Sequence, residues 1–376
     1  MNSRKIKNKK FFFNKLLRSR YNLGENDQGI HKNKKFNMQE WWYYNVYFNN
    51  EKSELKNCTI VISFVVMPNV YSLKVKLCDE NNKSYTGGFV IKRNFIEDKN
   101  SNFSIKFNNK NFLIGKYPKW QIHTDNTDIK TPELIVNLTF KANSLPMWIL
   151  KNTGHNRSNS FFGYYCVMNC NVKGNITLDG KTYNVSGIGY HDHTWAPLSL
   201  QKQKFNGPIA NINNYKKNKS QSLPLNLYKN WDWLCIHFEN GWDMFVGKFY
   251  LLKIKKLSKF TPGNICFTPS GKKLYESHFF LLNYEKTINS EIPNIKIPTK
   301  IHIKALILNT FGLKLFKGPI LFDLNYEAES IQSGPKKENQ KRVLWQSQGK
   351  IYGVAKSLGK TVKLKGWAIT ETTVTP

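Results

Sequence analysis

Residues 175–185 read Asn-Ile-Thr-Leu-Asp-Gly-Lys-Thr-Tyr-Asn-Val. Asp179-Gly180 sits between two runs, Asn175–Leu178 and Thr182–Val185, that alternate in character. An Asp-Gly pair accepts the positive φ angles of a tight type I′ turn, so the segment predicts a two-residue β-hairpin. Strand-like runs recur outward from it. Cys58–Met67, Tyr71–Leu77, Gly88–Ile91, Phe103–Phe107, Phe112–Ile114, Leu134–Phe140 and Gly163–Asn169 precede it. Trp233–Phe238, Trp242–Leu251, His278–Asn283, Ile301–Leu308, Lys350–Val354 and Val362–Thr370 follow it. No long segment carries apolar residues at i, i+3, i+4 and i+7; the nearest, Phe11–Leu17, is short and very basic. The pattern predicts an all-β chain with few helices, built as a sandwich or barrel.

At 376 residues the chain has room for two cores. The expected division is a basic flexible tail at 1–35, an N-terminal β unit at 36–200, an Asn/Lys-rich linker or loop at 201–224 and a C-terminal β unit at 225–376. Aromatics make up 14%, a load that suits strands and apolar pockets. The formal net charge of +32 points to attraction toward anionic surfaces. Lys and Asn abound everywhere, however, and no helix-turn-helix, zinc-knuckle or RNP-like pattern accompanies them, so no nucleic-acid partner is expected. Residues 1–20 hold eight Lys or Arg, no acid and no signal-like apolar run, and the chain has no stretch of 18 apolar residues. The expectation is a cytoplasmic protein whose basic arm offers peripheral contact with an anionic membrane surface. Six cysteines without a C-x-x-C pair do not make a disulfide scaffold; reduced, buried thiols are expected.

Three motifs concentrate chemistry. Glu40-Trp41-Trp42-Tyr43-Tyr44 on an alternating strand puts Trp41 and Tyr43 on one face and Glu40, Trp42 and Tyr44 on the other. Gly187–Trp195 carries His191, Asp192, His193 and Trp195; extended, it puts His191, His193 and Trp195 together, with Asp192 and Thr194 opposite. Trp231-Asp232-Trp233 is followed by His237. A strand built only for packing has no need of two His and an Asp in three residues. Buried polar groups require partners, so the cluster is a site or a hydrogen-bonded network.

In order along residues 36–376, these marks resemble the carotenoid 1,2-hydratase (hydroxyneurosporene synthase) family and its lipocalin-like relatives. The shared marks are Glu40–Tyr43, the aromatic strand at Ser158–Cys166, Gly187–Trp195, Trp231–Trp233 and a closing Gly366–Glu371. The chain departs from the family with Ala196-Pro197 where Gly is common, and with an apparent insertion before Trp231. The resemblance implies two consecutive lipocalin-like antiparallel β-barrels with a pocket near their junction. It implies an enzyme that adds water to, or cyclises, a hydrophobic isoprenoid or polyene by acid catalysis.

Hydrating an unactivated alkene requires a proton for one carbon and water for the cation formed on the other. A carboxylic acid in an apolar pocket keeps its proton longer, and aromatic faces stabilise cations. The candidate catalytic residues are therefore Asp192, His193, Trp195 and Asp232. By resemblance, His193 would orient water or relay a proton, Trp195 would face the cation, and either Asp192 or Asp232 would be the acid. Glu40, Trp41, Tyr43, Tyr165, Tyr190, Trp231 and Trp233 are the candidate substrate-binding residues. His191 and His193 with Asp232 and His237 form a rival zinc arrangement, but no metal or other cofactor is expected. No Walker loop or Rossmann fingerprint occurs, and no cysteine neighbours the His191–His193 cluster in sequence. The competing functions are a non-catalytic lipocalin that carries a hydrophobic lipid and a basic surface-binding protein.

Overall fold

The computed structural model describes residues 23–374 apart from 25–26, 32–37, 68–69, 80, 82, 93–95, 100–103, 108–110, 128–132, 152–162, 198–227, 252–262, 291–294, 309–315, 317 and 334–342. The expected linker at 201–224 and most of the expected tail at 1–35 lie outside the described residues. The chain divides into two compact units, Met1–Pro224 and Leu225–Pro376. Both are antiparallel β, and no α-helix occurs among the described residues.

The first unit contains β1 (Met38–Tyr47), β2 (Thr59–Val66), β3 (Val70–Cys78), β4 (Ser84–Lys92), β5 (Ile96–Lys99), β6 (Ser104–Phe107), β7 (Asn111–Lys116), β8 (Lys119–Thr124), β9 (Leu134–Ala142), β10 (Pro146–Lys151), β11 (Gly163–Leu178) and β12 (Lys181–Pro197). They form one sheet in the order β4-β3-β2-β1-β12-β11-β9-β8-β7-β6-β5, with β10 also paired to β11. The second unit contains β13 (Tyr228–Phe238), β14 (Asp243–Leu251), β15 (Gly263–Thr268), β16 (Tyr275–Ser277), β17 (Phe279–Asn289), β18 (Lys296–Ile307), β19 (Ile320–Ser333), β20 (Val343–Ser357) and β21 (Lys360–Val374). Its order is β16-β15-β14-β13-β21-β20-β19-β18-β17. Each sheet curls into the half-barrel of a lipocalin-like domain, as the two expected lipocalin-like units require.

The Asp-Gly hairpin forms as its residues require. Asp179 (φ 49°) and Gly180 (φ 80°) both take the left-handed region, and Leu178 pairs with Lys181. The runs on either side fuse into much longer strands than their local pattern suggests, β11 with 16 residues and β12 with 17. One irregularity lies between Val167 and Cys170 on β11, so the alternation of β12 is unbroken. Period-two burial, as in β2 and β9, directs every second residue into a core. Trp42, Tyr44, Phe64, Leu73, Trp120, Phe140 and Val172 belong to the first core. The second is formed by residues such as Leu234, Ile236, Met244, Phe267, Ile303 and Leu324. None of the six cysteines is in a disulfide, and all are buried.

Candidate active site

Pairing of the first and last strands of the first unit assembles the site. β1 and β12 set Glu40 opposite Trp195, Trp42 opposite His193 and Tyr44 opposite His191. On the other side of β12, β11 sets Gly163 opposite Trp195, Tyr165 opposite His193 and Val167 opposite His191. Cross-strand partners share a face, and Trp42, Tyr44 and Val167 belong to the first core, so His191, His193 and Trp195 point inward. Gly163 is essential to this packing: a Cβ there would sit 2.1 Å from the Trp195 ring.

Glu40 is the hub. Its Oε1 lies 2.6 Å from His193 Nε2 and 2.6 Å from His31 Nδ1, and its Oε2 accepts the His31 backbone N–H at 2.8 Å. His193 Nδ1 lies 3.1 Å from the Asp27 carbonyl, which only accepts, so Nδ1 carries a hydrogen. The 2.6 Å contact of Nε2 with Glu40 then needs one further proton held between the two groups. Burial pushes the Glu40 carboxyl up, but attraction to His31 and the hydrogen bonds from both imidazoles outweigh it and hold it at about 2. A proton bound by the pair therefore sits on His193 rather than on Glu40, the stronger acid. Burial pulls His193 below the ordinary imidazole range, against the opposing pull of Glu40. The proton is thus easier to release than that of an exposed imidazolium.

Aromatic rings enclose the pair. Trp42 stacks on His193 at 4.5 Å, Trp195 stacks on His31 at 3.8 Å, and Tyr165 meets His193 edge-on at 5.4 Å. The Trp42 indole donates to the Gln28 carbonyl. Residues 27–31, counted with the flexible tail in the sequence, are thus packed against the site. His191 is held separately. Its Nδ1 donates to the Tyr43 carbonyl at 3.2 Å, and Tyr44 stacks on its ring at 4.3 Å.

The residues singled out in the sequence fall into three groups. Glu40, Tyr165, His193 and Trp195 come together, and Glu40, expected only as a substrate-binding residue, contacts His193 Nε2 directly. Asp192 lies on the opposite face of β12, opposite Tyr43, and accepts the Tyr190 hydroxyl at 3.0 Å. Tyr190 in turn meets Tyr43 edge-on, and Trp41 shares that face half-buried. The third group belongs to the second unit. Asp232 accepts the Tyr284 hydroxyl and lies in the inward row with Leu234 and Ile236. Trp231 and Trp233 point the other way; the Trp231 indole donates to Glu371 Oε1 at 2.8 Å, and Trp233 packs on Phe245.

The residues of the rival zinc arrangement have other partners within their own units. His191 and His193 spend their Nδ1 atoms on backbone carbonyls, and His237 donates Nδ1–H to Asp243 Oδ1 at 2.7 Å. Among the described residues the set that could hold an ion is His31, Glu40 and His193, whose ligand atoms lie within 4.8 Å of one another. Zinc with bonds of about 2.0–2.2 Å needs ligand atoms roughly 3.3 Å apart in a tetrahedron; the 2.6 Å contacts fit a proton better. Sequence reasoning missed His31 and Asp27, which no local pattern marks. It also missed that Cys235 Sγ lies 3.5 Å from His237 Nε2, with Asp243 behind the ring.

No protein-family model matches the chain. No curated protein matches it by sequence. Solved structures do. The AttH candidate of Nitrosomonas europaea superposes with a TM-score of 0.58 at 12% identity, covering 91% of this chain and 94% of that one. Kievitone hydratase of Nectria haematococca gives 0.54 at 11%, covering 94% and 90%. CghA gives 0.54 at 8%, covering 90% and 89%. At such identities the likeness establishes a shared two-domain, lipocalin-like β fold.

Proposed function

We propose that the protein is a lipocalin-like acid–base catalyst of the hydratase or cyclase type, acting on a hydrophobic isoprenoid or polyene. The observation that carries this reading is the buried Glu40–His193–His31 network inside a wall of Trp42, Trp195 and Tyr165. A carrier has no use for a carboxylate–imidazole pair held in an apolar enclosure. His193 releases its proton to an alkene carbon while Glu40 keeps the imidazole oriented, and the faces of Trp42 and Trp195 stabilise the cation. Asp232, with its Tyr284 partner, is the second candidate acid, and Asp192 orders Tyr190. The likeness to kievitone hydratase supports the reaction class at the level of fold. The partner is a hydrophobic small molecule. A cytoplasmic protein that meets it at an anionic membrane surface fits the +32 charge. No helix among the described residues is long and apolar enough to cross a membrane.

The test is mass spectrometry of the lipids that co-purify with the protein, before and after incubation. A hydratase converts one of them to a species heavier by one water, and a cyclase converts it to an isomer of equal mass. Glu40→Gln lowers either rate by about 100-fold or more. Retained lipid without turnover, or full turnover in Glu40→Gln, overturns the reading.

A further inference from the structure

Among the buried polar atoms of the first unit that this mechanism does not use, three belong to rings gathered around His191. They are the Tyr44 hydroxyl, the Tyr165 hydroxyl and His191 Nε2, all buried and without a hydrogen-bond partner. Their rings are neighbours. Tyr44 stacks on His191 at 4.3 Å, and Tyr165 meets His191 edge-on at 5.8 Å and His193 at 5.4 Å. An unpartnered buried polar group costs about 1–3 kcal/mol, and here three of them sit on adjoining rings of one inward face.

The tautomer of His191 says what would satisfy them. Its Nδ1 faces the Tyr43 carbonyl and must carry the hydrogen, so Nε2 presents a lone pair. Burial holds His191 well below the ordinary imidazole range and therefore neutral near pH 7. Nε2 thus needs a donor, whereas the two phenols can donate. A single O–H group meets both demands, accepting from tyrosine and donating to His191.

We infer that Tyr44, Tyr165 and His191 form a hydroxyl subsite beside the His193–Glu40 pair. It takes the attacking water in one direction and the hydroxyl of the product alcohol in the other. This deepens the hydratase reading and rests on it for the reaction, though not for the binding. In hydration, the His193 Nε2–H bond breaks and a C–H bond forms at one alkene carbon. The water oxygen then forms the C–O bond at the other carbon, and its proton passes to His191 Nε2. Alkene and water become alcohol. The proton returns from His191 to the His193–Glu40 pair before the next turnover.

Binding tests the subsite apart from turnover. Farnesol, its methyl ether and the hydrocarbon farnesene serve as probes, followed by quenching of tryptophan fluorescence in the full chain. The alcohol binds about tenfold or more tighter than the ether, which cannot donate to His191. His191→Phe abolishes that preference. Tyr44→Phe and Tyr165→Phe, which remove only a hydroxyl, each reduce the preference of the subsite for oxygen over hydrocarbon by severalfold. Equal binding of alcohol and ether by the wild type, no binding of either, or a preference that survives His191→Phe overturns the inference. Glu40→Gln separates the two ideas. It keeps the alcohol preference while losing turnover, so a failed turnover assay leaves the binding result standing. Exchange of the farnesol oxygen with labelled water marks catalytic use of the subsite, and binding without exchange restricts it to holding a ligand hydroxyl.

Discussion

The two units share a plan and differ in what they put inside it. In each, the first strand pairs with the last near the middle of the sheet, β1 with β12 and β13 with β21. The inward row of β13 runs Leu234, Ile236 and Phe238 after Asp232, and its surroundings are aliphatic and aromatic. The one fully buried tyrosine of that core, Tyr326, has its hydroxyl bonded to Ser347 at 2.9 Å. The matching row of the first unit holds Glu40, Trp42 and Tyr44, facing His191 and His193. One scaffold thus buries separate ionisable pairs in the second unit, Asp232 with Tyr284 and His237 with Asp243, and gathers Glu40, His193 and His31 into one hub in the first. Such groups survive burial only when networked, and two of the three titratable side chains at the hub are fully buried. That hub is the reason the first interior is proposed as the reacting one.

Four experiments press on that contrast. The largest effect belongs to His193→Gln, which should lower turnover by about 100-fold to 10,000-fold, whereas Asp232→Asn should lower it by less than about tenfold. The reverse order would move the acid to the second unit. Next, Leu234→Ala should cost about 2–5 kcal/mol in the melting of the second unit by leaving a cavity, with the rate per folded molecule unchanged. A matching loss of rate would tie the apolar core to catalysis.

Acidification should then weaken the first unit more than the second. Glu40, held at about 2 when folded, contributes stability that is present above its unfolded pKa near 4.5 and fades as pH falls toward 2. His191 and His193, held below 6.5, also bind protons more readily unfolded, so they too destabilise the fold as pH falls below 6.5. Calorimetry between pH 7 and 4 should show the first unit's transition moving down first, and coincident shifts would remove the distinction. The smallest effect is expected from chelation. If the 2.6 Å contacts enclose a proton, dialysis against EDTA leaves turnover and melting unchanged; a loss restored by zinc would convert His31, Glu40 and His193 into a metal centre.

Much of this was legible in the residues, and the limits have physical causes. Asp179-Gly180 specifies its turn through backbone angles that those two residues accept, so the hairpin could be read locally. Strand alternation correctly separated His193 from Asp192, because the period of two holds along all of β12. The partner of His193 was a different matter. Glu40 lies 153 positions away and Asp27 lies 166 away, and only the pairing of distant strands and the packing of residues 27–31 bring them together. His31 sits among Lys and Asn with no periodic neighbour, so nothing around it betrays a buried contact. The Cys235–His237 contact is in principle readable from the spacing of two on one strand, but Asp243 joins it only through the hairpin after Phe238.

The joining of β1 to β12 also bears on how the molecule comes into being. Loop-closure entropy must be overcome before so distant a pairing forms, and chains rich in non-local contacts fold slowly. The Glu40–His193 pair therefore cannot form until the first unit has been synthesised almost to its end and β1 and β12 have met. Local hairpins such as the one at Asp179-Gly180 can close early, while the stacking of Trp42 on His193 reports the final step. Emission from that tryptophan during refolding would time the birth of the site.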